Sequence, residues 1–79
     1  MMTVRYWAGA RAAAGRAEEK VEAATVGSLL TILACRPGLA PVLRASSLLV
    51  DGAAAKREET ERVIPAGAIV DILPPFAGG

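Results

Sequence analysis

The chain opens on an alternation. Met2, Val4, Tyr6 and Ala8 fall on one side of an extended segment, and Thr3, Arg5 and Trp7 on the other. That period of two predicts a strand over 2–8. The next stretch, GARAAAGRAEE, loses the rhythm. Gly9 and Gly15 bracket a short alanine turn, with room for a single helical turn, in a segment that reads mostly as a connection. Residues 20–24, KVEAA, alternate weakly with Val21 and Ala23 inward, and predict a second strand paired with the first as a hairpin. At Thr25 the period changes. Val26, Leu29, Leu30 and Leu33 stand at i, i+3, i+4 and i+7, the apolar stripe of a helix, with Thr25 as its N-cap. Arg36-Pro37-Gly38 ends it, since proline cannot continue the hydrogen-bond ladder and glycine suits a reversal. LAPVLRAS has room for one further short turn. SLLV at 47–50 is a strand, Asp51-Gly52 a hairpin turn, and Ala53–Ala55 a weak short strand. The charge run KREETER, 56–62, reads as a solvated loop. IPAG at 64–67 is a turn with Pro65 at its second position, and AIVDIL, 68–73, is the last strand.

Two strands, a crossover helix and further strands predict an α+β fold, a mixed sheet of four to five strands with one main helix packed across one face. This is the β-grasp, or ubiquitin-like, arrangement, with the first and last strands parallel at the sheet centre. Residues 1–79 then make one domain, and 75–79 are expected to form a flexible tail. If Val4, Tyr6, Val70 and Ile72 face the helix, alternation leaves Trp7, Ile69 and Leu73 together on the open face, with Arg5 and Asp71 in their polar surround. A contiguous exposed apolar patch usually marks a partner surface. Trp7, Ile69 and Leu73, with Pro74, Pro75 and Phe76 after them, are the candidate partner-binding residues. The alternative register puts Trp7 in the core and Tyr6 outside.

Composition narrows the chemistry. The chain is 53% hydrophobic over 79 residues, but much of that is alanine, so the core is thin. A net charge of +1 with scattered basic residues argues against a nucleic-acid partner, which calls for a concentrated basic face. No apolar run approaches the length of a membrane span, and the N-terminal layout is not that of a signal peptide, so a cytoplasmic location without membrane partners is expected. Histidine is absent, which removes His-based triads, general bases and metal ligands. The three carboxylates of the charge run, Glu58, Glu59 and Glu61, have no other ligand type nearby, and no metal site is expected. Cys35 is the sole cysteine, near a helix end that does nothing to lower its pKa, and reads as a small apolar residue at the core margin rather than a persulfide carrier.

The segment ILPPFAGG, 72–79, carries the remaining chemistry. Pro74 and Pro75 hold the chain extended and direct it away from the body. Gly78 and Gly79 lack a Cβ and can enter a channel too narrow for side chains. A terminal carboxyl on Gly79 is ionised at neutral pH, and reacts as an acyl donor only after activation, usually by adenylation from ATP. A Gly-Gly end alone means little, since many chains finish in small residues. Its position after a central strand and a proline pair gives it weight.

The sequence resembles the MoaD/ThiS family of ubiquitin-like sulfur carriers over nearly its whole length. VRYWAGARAAAG is similar to that family's first strand and turn, TVGSLLTILACRPG to its helix, LLVDG to a strand and turn in which Asp51 takes the place of the usual Asn, and IPAGAIVDILPPFAGG to its last strand and Pro-Pro-x-x-Gly-Gly end. Ala68 stands where the family often has Asp. The proline pair sides with the branch that serves as small subunit of molybdopterin synthase rather than with the thiazole branch. The resemblance implies that a ubiquitin-activating-like adenylyltransferase uses ATP to adenylate Gly79, with Gly78 as part of the inserted tail. A sulfurtransferase then supplies sulfur to give a thiocarboxylate, and the large synthase subunit takes up the tail so that sulfur passes to cyclic pyranopterin monophosphate. The carrier itself is then neither an enzyme on its own nor a stable holder of any cofactor. Two alternatives stand beside this: a carrier serving thiazole, cysteine or tRNA thiolation, and an unreactive ubiquitin-like binding module or protein-modifying tag.

Overall fold

The computed structural model describes residues 1–74. Five strands and three helices follow in the order β1 (Met2–Tyr6), α1 (Ala8–Ala14), β2 (Glu18–Val21), α2 (Val26–Ala34), α3 (Leu39–Ala45), β3 (Ser47–Val50), β4 (Ala53–Ala55) and β5 (Ile69–Leu73). The sheet order is β2-β1-β5-β3-β4. β1 and β5 pair in parallel at the centre, Thr3 beside Ile69 and Tyr6 beside Ile72, while the remaining pairs are antiparallel. This is the β-grasp fold, with the helices on one face. Alternation divides the central strands cleanly: Val4, Val70 and Ile72 are fully buried against the helices, and Tyr6 is 2% exposed while Trp7 is 44% exposed. Tyr6 is therefore the core residue, and Trp7 faces out.

Three elements differ from the expectation. The alanine stretch after β1 is a true helix, α1, packed against α3 and ended by Gly15 in the left-handed region at φ 73°. The second strand is Glu18–Val21, nearer the first than the predicted 20–24. The segment after Gly38 is a second full helix, α3, burying Leu39 and Leu43. Pro41 does not break it because it lies in the first turn, where backbone N–H groups have no intrahelical partner. There are thus three helices where one main helix was expected. In α2 the residues fully buried are Val26, Leu29 and Leu33, and Leu30 is only half-buried.

The inward position on β2 holds a charge. Glu19 lies beside Val4 and accepts from the Tyr6 hydroxyl and from Arg36 Nη2 at 2.8 Å. These bonds tie the edge strand to the end of α2. Burial opposes ionisation of Glu19, but the bonds from Arg36 and Tyr6 outweigh it and hold the carboxyl below its ordinary range. Burial first, and the bond to Glu19 second, push the Tyr6 phenol well above its ordinary range.

The start of α2 is secured twice. Thr25 and Ser28 form a capping box, each side chain serving the other's backbone N–H. The next two donors are met by the charge run: Val26 N–H reaches the Arg62 carbonyl at 3.0 Å and Gly27 N–H the Thr60 carbonyl at 2.9 Å. The side chains of 56–62 are mainly exposed, yet the backbone of this loop caps a helix. Its approach explains Gly27, where a Cβ would stand 2.9 Å from both the Cβ and the carbonyl oxygen of Thr60. Asp51 and Gly52 have φ of 49° and 83°, as a tight hairpin turn requires, and Asp51 Oδ1 accepts from Ile69 N–H at 2.9 Å.

Gly27→Ala should cost about 1–3 kcal/mol, the usual range for overpacking, because the neighbour it meets is backbone. Gly9→Ala, in α1 with open space around the new methyl, should instead stabilise by about 0.5–1 kcal/mol. Urea denaturation of the two variants checks both signs. Equal stability of Gly27→Ala and the unmodified protein would contradict the close packing of the loop on α2.

Candidate docking face

The open face of the sheet is organised by one carboxylate. Register places Asp71 between Arg5 on β1 and Leu49 on β3, with Ile69 and Leu73 two residues to either side along β5. Arg5 grips Asp71 with two donors, Nε to Oδ1 at 2.7 Å and Nη2 to Oδ2 at 3.0 Å. Trp7 Nε1 donates to the same Oδ1 at 2.9 Å. The Arg5 guanidinium carbon is 5.7 Å from the Trp7 ring centroid, within cation–π range. Asp71 thereby fixes the direction of both the guanidinium and the indole. Its residue is 7% exposed although it sits on the solvent side, because its neighbours lie over it.

Asp71 is therefore the centre of this face rather than part of its rim. The bonds from Arg5, followed by that from Trp7, hold the carboxyl below its ordinary range against the opposing effect of burial. Around it the apolar surface comprises Trp7, Ile69 at 39% exposure, and half-buried Leu73 and Leu49. Leu49 escaped the sequence reading; alternation through SLLV sets it on the face opposite Leu48 and Val50, and the β3–β5 register places it beside Asp71. Lys20 borders the patch, its amine donating to Thr3 Oγ1 at 2.6 Å.

Of the candidate site residues, Trp7, Ile69 and Leu73 come together on this face. Pro74 follows β5 and is exposed. Pro75, Phe76, Gly78 and Gly79 lie outside the described residues. Cys35 is exposed, at the C-cap of α2, which corrects its placement at the core margin. Its Sγ contacts the Thr31 carbonyl at 3.4 Å. Among the described residues no cluster of three Cys, Asp or Glu side chains is placed to hold a metal ion, and no helix is long and apolar enough to cross a membrane.

Because Asp71 titrates below its unfolded value of ~3.9, its contribution to stability is present above that pH and is lost as pH falls through the lower, folded value. Asp71→Asn should lower stability at neutral pH and flatten this acid limb, leaving the part due to Glu19. Thermal denaturation between pH 2 and 7 reads both effects. An unchanged acid limb in a folded Asp71→Asn protein would contradict the ionised clamp.

Comparison with known proteins agrees with this architecture. SAMP1 from Haloferax volcanii is 27% identical, with a TM-score of 0.71 over 99% of this chain and 98% of its own. A chain of the complex of subunits 1 and 2 of the molybdopterin-converting factor from Helicobacter pylori matches at 19% identity and TM-score 0.76, over 99% of this chain and 97% of that one. A putative molybdopterin converting factor subunit 1 from Pyrococcus furiosus matches at 21% identity and TM-score 0.78, over 95% and 97% of the two chains. Comparison with curated protein sequences gives no significant match. The model of the ThiS family matches residues 4–79, from the first buried valine of β1 through the glycine pair, and on that coverage the chain belongs to the ThiS family.

Proposed function

We propose that the chain is a sulfur carrier whose Gly79 carboxyl is adenylated and then converted to a thiocarboxylate by partner enzymes. The observation that carries this is the position of the pinned apolar face: it lies on β5, the strand that leads through Pro74 into Pro-Phe-Ala-Gly-Gly. A partner holding Trp7, Ile69 and Leu73 also holds the base of the tail. Family membership supports the same reading. The division of labour is chemical. The carrier supplies recognition and a stalk without side chains at its end, while an adenylyltransferase transfers AMP from ATP, releasing pyrophosphate, and a sulfurtransferase presents sulfur as a persulfide. The outer persulfide sulfur attacks the carbonyl carbon of Gly79 and AMP leaves. A thiol then cleaves the S–S bond of the resulting acyl disulfide, is itself oxidised to a disulfide with the sulfurtransferase cysteine, and leaves the thiocarboxylate.

The acceptor we propose is the pterin precursor of molybdopterin, with this chain as small subunit of the synthase. The Pro74-Pro75 pair supports it, as does the likeness to the two-subunit molybdopterin-converting factor complex. Trp7 is the anchor of the docking face, since Trp and Arg are the residue types enriched where interface truncation costs most. The likeness to SAMP1 favours a second reading, a protein modifier joined to lysines through the same glycine.

Incubation with the cognate activating enzyme, ATP, persulfide-loaded sulfurtransferase and a thiol reductant should give an intact mass with one oxygen exchanged for sulfur. Removal of Gly79 shortens the stalk by about 3.3–3.6 Å and should abolish the exchange, while the domain stays folded. Cys35→Ser should leave the exchange unaffected. Normal thiocarboxylate on the chain lacking Gly79 would overturn the carrier reading, and conjugation to lysines without sulfur transfer would select the modifier. Trp7→Ala should weaken binding to the large subunit by ~2 kcal/mol, about 30-fold in Kd. Unchanged affinity in a folded variant would remove Trp7 from the interface.

A further inference from the structure

The helix side of the molecule has a second feature that the carrier reading leaves unused. A cleft of about 190 Å³ opens between α2 and α3. Two small side chains, Ala34 on α2 and Ala40 on α3, line it. Leu30, Leu43 and Leu48 supply its apolar lining, and Arg44 and Arg57 stand at its mouth. Leu30, which lines the cleft, is only half-buried.

The charges at the mouth are one-sided. Arg57 is held in place by a bond from its Nη2 to the Ser46 carbonyl at 2.7 Å. Arg44 is exposed in the last turn of α3. Lys56 adjoins Arg57 along the sheet edge, where Glu58 also lines the neighbouring surface. Among the described residues, Arg44, Lys56, Arg57 and Glu58 form no ion pair, whereas Arg5, Arg16, Arg36 and Arg62 all do. A guanidinium fixed by a neutral carbonyl keeps its charge available to an incoming carboxylate, with little further loss of freedom. An apolar slot for one side chain, flanked by two cations, is complementary to a leucine-type anchor with an acidic residue on either side.

We propose that the α2–α3 cleft is a second docking site, and that it takes an acidic peptide segment of a partner protein through one inserted aliphatic side chain. Leu48 points to the helix face, opposite Trp7 and Ile69, so such a segment leaves the sheet face free. The two surfaces can then be occupied at once, and the partner at the cleft needs no access to the tail.

The test uses the full chain labelled with nitrogen-15 and the peptide acetyl-Asp-Glu-Leu-Glu-Asp-amide, followed by amide shifts at low salt. Shifts are expected at Leu30, Ala34, Ala40, Leu43 and Leu48, with none at Thr3, Arg5 or Ile69. Arg44→Glu, an exposed substitution outside the core, should weaken binding about two- to fivefold, and replacing the peptide's leucine with alanine about tenfold. Absence of shifts, shifts confined to the sheet face, or equal binding by Arg44→Glu would overturn the proposal. Equal shifts from hexanoate alone would overturn the peptide assignment. None of these readouts involves Gly79, so failure here is distinct from failure of the carrier reading.

Discussion

Everything in this molecule hangs on the parallel contact between its first and last strands. Thr3 meets Ile69 and Arg5 meets Asp71, so segments more than sixty residues apart make the centre of the sheet. The cost of closing so long a loop grows only slowly with its length, and burial of Val4, Tyr6, Val70 and Ile72 under the helices offsets it. The same pairing puts opposite polarities on opposite faces. On the helix side it assembles the core, and on the other it brings Arg5, Trp7 and Asp71 within hydrogen-bond reach. Neither face could form from one strand alone.

The two faces solve the problem of a charge in a sheet differently. On the helix side, Glu19 is surrounded by Tyr6 and Arg36 and serves to fasten an edge strand. On the open side, Asp71 is covered by the side chains it positions. In both cases a carboxylate stays ionised because donors are supplied where burial would favour the neutral form. The Asp71 arrangement also reduces the freedom of Trp7 before any partner arrives, which is the part of a binding cost that preorganisation removes.

How much of this was legible depended on which residues carried the pattern. Large apolar side chains at strict spacing announced β1, α2, β3 and β5, and the open-face position of Trp7 followed from alternation. The helix α1 was not legible because alanine hides its period: only Ala10 is buried there, and Gly9 stands within its first turn. β2 was misplaced because an inward glutamate breaks the apolar alternation, and nothing local in the chain reveals that Tyr6 and Arg36 will receive it. For α3, Leu39, Val42 and Leu43 have helical spacing, but the run is too short to announce more than one turn, and Pro41 is harmless only because it falls in the first turn. On the candidate site, sequence supplied the residues but not their hierarchy. That Asp71 is the hub and Leu49 its neighbour depends on strand register, which is a property of the pairing rather than of either strand.

The parallel pair also sets a direction. The carbonyl of Met1 accepts from Gly67 N–H at 2.9 Å, so Met1 lies beside the turn that feeds β5. Both central strands then run the same way, and Pro74 emerges at the far edge, about 17 Å off at the ordinary rise of a five-residue strand. An affinity tag, fluorophore or solid support joined ahead of Met1 therefore sits at the opposite pole from Pro74. Immobilised in that way, the molecule stands with its Pro74 end outward, turned toward whatever is offered in solution.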